Sequence, residues 1–207
     1  MPMHLQPMLF EPIFTGIVLI LSILIYFKTK EISALTNHKG IKYFRITFLY
    51  LAIAYAARIL LNFVMLSSGR PFKCVMPFSL ILVGYFSTMA FFYLFYSTIW
   101  KKVKSNRPLH IANVAVIILC IAAGVLRSHY VLSIVQLALI LFAIVSVIKK
   151  KLSKMRVFYI LLLIFWVLNL SFLGPRRLIP FELNLLFHSI SIIVLLYILY
   201  KVSKWTK

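Results

Sequence analysis

The chain contains no aspartate, and Glu11, Glu31 and Glu182 are its only acidic side chains. Three scattered carboxylates cannot furnish the paired acid and base that most hydrolytic sites need. Cysteine is nearly as scarce: Cys74 falls in an expected loop and Cys120 in an apolar stretch. That spacing suits neither a metal site nor a redox pair, and places the two poorly for a disulfide. Cys120 reads as a small packing residue. With six glycines the chain also has no Gly-rich phosphate loop, and neither HExxH nor CxxC occurs. Of His4, His38, His110, His129 and His188, only His188 lies well inside an apolar stretch, so a buried axial pair for haem is missing. These absences lead to an expectation of no enzyme activity, no cofactor and no metal.

What the sequence has in excess is hydrocarbon. Of its 207 residues 63% are hydrophobic, against roughly 45–50% in soluble domains. Seven apolar stretches approach the ~20 residues that cross a bilayer as helix: 10–27, 43–66, 77–99, 110–126, 131–148, 157–173 and 181–200. Only 127-RSHY-130 separates the fourth from the fifth, and reads as a tight turn. The first is not a signal peptide, since no basic residue precedes it, Glu11 and Pro12 open it, and no small-residue cleavage motif follows. The fold class expected is all-α: a polytopic membrane protein of seven transmembrane helices, one membrane domain over 1–207, with no soluble domain.

The 23 Lys and Arg give a net charge of +20, yet they come in short clusters between apolar runs. Lys28 to Arg45, Lys101 to Arg107, Lys149 to Arg156 and Lys201 to Lys207 fall on one side, while the other has only Arg70, Lys73, Arg127, Arg176 and Arg177. By the positive-inside rule the N-terminus is outside and the C-terminus cytoplasmic, as befits a multi-pass protein of the plasma membrane. The clusters suit anionic lipid headgroups at the inner face of the bilayer and do not form the continuous basic groove of a nucleic-acid binder. Aromatic residues near span ends, such as Tyr96, Trp100, Tyr200 and Trp205, read as interfacial belts.

The third span opens 76-MPFSLIL-82 and the seventh 179-IPFELNL-185, both P-F-x-L-x-L. The exits 30-KEIS-33 and 150-KKLS-153 are alike, and Arg45 and Arg156 hold equivalent places. The pattern predicts a parallel repeat, with copy A at 10–99, copy B at 131–200 and 110–126 as connector. This 3+1+3 layout resembles that of the sugar-exporting SWEET and PQ-loop families, and also that of rhodopsin-like seven-span proteins. The resemblance is one of topology alone. The PQ dipeptide is missing, and no lysine lies deep in the last span, so retinal is not expected.

Within this apolar frame one charge stands out, in 52-AIAYAARILLNF-63. Arg58 near a bilayer centre costs at least ~2.5 kcal/mol on insertion scales, and such residues tend to mark function. Tyr55 and Asn62 share its helical face. Under the repeat, Trp166 and Asn169 take the places of Tyr55 and Arg58, while Asn184, His188 and Ser191 share a face of the seventh span. Ser87 and Thr88 add hydroxyls to the third. Two accounts of Arg58 follow: snorkelling towards the outer interface, or pairing inside the bundle with Glu182 or an anionic ligand. The candidate substrate-binding set is Arg58, Tyr55, Asn62, Asn169, His188 and Glu182. The expected function is transport of a small polar or anionic solute through a polar cavity between the repeats. The alternatives are a seven-helix sensor or receptor, or a membrane scaffold subunit acting through a protein partner.

Overall fold

The computed structural model describes residues 6–36, 39–68, 72–99, 107–128, 130–148, 154–170 and 181–206. Each segment contains one helix: α1 Gln6–Thr36, α2 Lys39–Ser68, α3 Phe72–Ile99, α4 Arg107–Val125, α5 Tyr130–Ile148, α6 Lys154–Leu170 and α7 Phe181–Thr206. The all-helical reading therefore holds among the described residues. Five helices (α1, α2, α3, α4 and α7) are long and apolar enough to cross a membrane. The shorter apolar stretches of α5 and α6 are Tyr130–Val145 and Val157–Asn169.

The side chains on the outside make the solvent plain. Ile13, Ile20, Phe63, Ile118, Ile134, Phe142 and Ile193 are each about 60% exposed or more, and they belt the bundle on every side. Apolar surface on that scale is incompatible with water, where exposed apolar patches rarely exceed a few hundred Å². The molecule is a helical membrane protein, with lipid against this belt.

Six helices close a ring in the order α1, α2, α3, α5, α6, α7 and back to α1, while α4 packs outside it on α3 and α5. Inside the ring, aromatic residues fill the end nearest the basic clusters. Phe44 meets Phe158 and Tyr159 there at 5.9 and 6.3 Å between centroids; nearer the middle of the bundle, Phe91 meets Trp166 edge-on at 5.0 Å. The Tyr159 hydroxyl donates to the Ser97 carbonyl at 3.0 Å, so even this phenol is satisfied. Hydroxyls elsewhere bond back to their own helix, as Ser22 does to the Val18 carbonyl and Thr29 to that of Ile25, both at 2.7 Å. Backbone acceptors are the nearest partners where no water is at hand.

Two prolines read from the sequence as helix starts prove to be interior. Pro12 lies inside α1 and Pro77 inside α3, each helix extending beyond the expected span. Cys74, expected in a loop, accordingly falls within α3. Each proline lacks the amide proton of one helical bond, so the carbonyls of Met8 and Lys73 lose their usual donors.

The α3–α4 seam is close because Gly124 permits it. A Cβ on Gly124 would stand 2.8 Å from Ile81 Cγ1 and 3.2 Å from the Pro77 carbonyl oxygen. Small residues let membrane helices approach in this way. Gly124→Ala should therefore lower stability by about 1–3 kcal/mol through overpacking. Thermal unfolding in detergent would check this; an unchanged midpoint would mean the seam yields freely.

Cys120 is fully buried near this seam as a free thiol, in keeping with its expected packing role. The helix then ends in the expected turn. Ser128 N–H donates to the Ala123 carbonyl and Arg127 N–H to that of Gly124, with Arg127 at φ 49°. Those two bonds and the left-handed residue make a Schellman cap. A β-branched side chain tolerates that φ least, so Arg127→Val should cost about 1 kcal/mol, whereas Arg127→Gly should not. Parallel melting curves of the two variants would separate backbone strain from loss of the charge.

Candidate functional site

Towards the end of the ring away from the lysines, polar side chains replace the aromatic filling. Arg58 extends from α2 across to α1, where its Nη2 donates to Glu11 Oε1 at 2.6 Å. Both side chains are mostly buried, at 17% and 18% exposure, so Arg58 is paired within the bundle. Its carboxylate partner differs from the one the sequence suggested. Glu182 is exposed at the start of α7, whereas Glu11 is turned into the bundle. Glu11 had served the sequence reading only as a marker of the first span's start; its acidity among so few carboxylates was the available signal.

One turn from Arg58 towards the basic end, the Tyr55 hydroxyl donates to Asn169 Oδ1 on α6 at 3.1 Å. Asn169 Nδ2 in turn donates to Ser191 Oγ on α7 at 3.1 Å and to the Phe165 carbonyl at 2.6 Å. Ser191 passes its own proton to the Phe187 carbonyl at 2.8 Å. A continuous relay thus joins α2, α6 and α7, three helices far apart in sequence. Interhelical bonds of this type contribute roughly 0.6 kcal/mol each.

His188, one turn from Ser191 on α7, is buried, and its ring stands edge-on to Phe14 with centroids 3.9 Å apart. Phe10 lies 5.6 Å away on the same helix as Phe14. Because a carbonyl can only accept, the contact of Nδ1 with the Asn184 carbonyl places the proton on Nδ1. His188 is also within electrostatic reach of Arg58 and Glu11. Of the sequence-derived set, Arg58, Tyr55, Asn169 and His188 are gathered here. Asn62 is half-buried on the Arg58 face, and Glu182 stands apart.

Trp166 is buried on α6, one turn from Asn169, and its indole Nε1 has no hydrogen-bond partner among the described residues. A separate polar contact joins α5 to α3, where buried Gln136 donates to Ser87 Oγ at 3.2 Å and to Thr88 Oγ1 at 3.1 Å. Gln136 was missed from the sequence, although it is the one amide in its span. The Tyr85 hydroxyl similarly donates to Asn113 on α4 at 2.7 Å. No group of three His, Cys, Asp or Glu side chains that could hold a metal ion occurs among the described residues.

No protein-family model matches the chain. No solved structure matches it either. It is similar to an uncharacterised protein of Archaeoglobus fulgidus, 27% identical over 223 aligned positions that cover 98% of this chain and 96% of that one.

Proposed function

We propose that the protein is a carrier for a small polar solute, not an enzyme, and that its binding site lies between two structurally related triplets, α1–α3 and α5–α7. The observation that carries this reading is the polar relay Tyr55–Asn169–Ser191 set beside the Arg58–Glu11 pair, inside helices otherwise apolar. Intramembrane charges of this kind are expensive and tend to line substrate paths. The helix order supports the duplication: exchanging α1, α2, α3 with α5, α6, α7 leaves every neighbour pair of the ring intact, and α4 stays outside as a connector. In parallel-repeat transporters the site lies at the repeat interface, where Tyr55 and Asn169 meet here. The seven-span count and an external N-terminus belong to the same proposal. So do the plasma membrane as location and contacts of the basic clusters with anionic inner-leaflet headgroups.

Uptake of radiolabelled anions and sugars into proteoliposomes tests transport directly. Arg58→Lys keeps the charge but loses the planar fork, so uptake should fall at least about tenfold. If no solute enters, and replacing the site residues changes only stability, the polar groups merely lock helices together as in a scaffold. Orientation is tested separately in a variant without Cys74 and Cys120. Cysteines at positions 105 and 153, outside the described residues, should then react only from the inner face.

A further inference from the structure

Arg45 lies on α2 six residues past Lys39, about 9 Å along the helix, at the end of the bundle that carries the basic clusters. Its guanidinium rests over the ring of Tyr26 from α1, 5.4 Å from the centroid. A cation held against an aromatic face is fixed in place and keeps its full charge. Arg45 Nε is buried and has no hydrogen-bond partner among the described residues. The chain has no acidic side chain left to serve it. Glu11 is held by Arg58 at 2.6 Å, Glu31 lies 3.9 Å from Lys28 Nζ, and Glu182 opens α7 at the opposite end of the bundle. A fixed guanidinium with a buried, unsatisfied N–H therefore calls for an anionic acceptor from outside the chain.

The surroundings specify which anion. α1 and α2 run antiparallel, as the pairs Tyr26–Arg45, Phe14–Tyr55 and Glu11–Arg58 show. Deeper into the bilayer, Leu49 follows Arg45 by one turn on α2, and Ile23 precedes Tyr26 by one turn on α1; both are exposed. In the other direction, exposed Lys42 adds a second cation one turn nearer the start of α2. A phosphate at Arg45 thus has apolar surface continuing below it, which suits a lipid lying along the two helices. The paired cations disfavour a headgroup that carries its own ammonium group beside the phosphate. We propose that Arg45, Tyr26 and Lys42 form a site for one anionic phospholipid. Its phosphodiester accepts from Arg45 Nε, and an acyl chain lies over Ile23 and Leu49. The site narrows the headgroup contacts proposed above to one position and stands apart from the Arg58 pair.

Native mass spectrometry of the purified full chain in detergent tests this, with dioleoylphosphatidylglycerol as probe and dioleoylphosphatidylcholine as control. Neither orientation nor transport enters that measurement. Wild type should retain one phosphatidylglycerol at least about tenfold more tightly than phosphatidylcholine. Arg45→Gln should lose at least about tenfold in that affinity, as expected for one charge-assisted hydrogen bond. Lys204→Gln removes the same charge from an exposed position on α7 and should change it by less than about twofold. Tyr26→Leu keeps the charge but releases the guanidinium, and should weaken binding about threefold. Equal losses in Arg45→Gln and Lys204→Gln would mean diffuse attraction to the basic end and would overturn the proposal. So would phosphatidylcholine bound as tightly as phosphatidylglycerol. Displacement of the lipid by inorganic phosphate at equal concentration would overturn it too, by reassigning the site to a soluble anion. If Arg45→Gln does not fold, Arg45→Lys takes its place: the charge stays but the planar fork is lost, so affinity should fall at least about threefold. An unchanged affinity in that variant overturns the assignment. Each of these failures leaves the carrier reading standing.

Discussion

Glu11→Ala should destabilise the protein by about 3–5 kcal/mol, because it strands Arg58 as an uncompensated charge among apolar helices. Arg58→Leu should cost a similar amount by stranding Glu11, unless that carboxyl takes up a proton. The double variant Glu11→Leu/Arg58→Leu should recover most of the loss, and could equal wild type, since both desolvated charges are gone. Thermal unfolding of the two single variants and the double, at one pH and in one detergent, completes a double-mutant cycle. Strong positive coupling is expected between positions that are 47 residues apart in sequence but joined at 2.6 Å. Additive losses would mean that the pair does not exist in the folded protein.

The second large effect is expected at Asn169, the only member of the relay that contacts both α2 and α7. Asn169→Leu leaves the Tyr55 hydroxyl without its acceptor and removes a donor from Ser191. A buried polar group left unpaired costs about 1–3 kcal/mol. Tyr55→Phe, by contrast, removes one bond and leaves Asn169 its other two contacts, so it should cost well under 1 kcal/mol. Combining Tyr55→Phe with Asn169→Leu should therefore be less damaging than the sum. An Asn169→Leu protein as stable as wild type would show that the relay does not hold the helices together.

Much of this architecture was legible in the chain itself. Seven helices follow from runs of apolar residues because lipid forces every backbone amide and carbonyl to pair within its own segment. No long-range information is needed for that step. Helix ends were less well read. Pro12 and Pro77 look like starts, but neighbouring residues on both sides carry the helix past them at the loss of one bond each. The grouping of Tyr55 with Arg58, and of His188 with Ser191, was also legible, since helical spacing alone puts each pair on one face.

Which faces meet was decided only by the tertiary structure. From the sequence Arg58 was paired with Glu182, the wrong carboxylate, because no periodicity within one helix specifies the rotation of another. Packing turns Glu11 inward and leaves Glu182 exposed. The same holds for Tyr55 and Asn169, which are 114 residues apart, and for Gln136 with Ser87 and Thr88. The sequence by itself determined a lipid-embedded helical chain and the residues that would need partners there. The partners were settled by helix packing, since in a medium as apolar as the helices, side-chain fit and the pairing of buried polar groups select the arrangement.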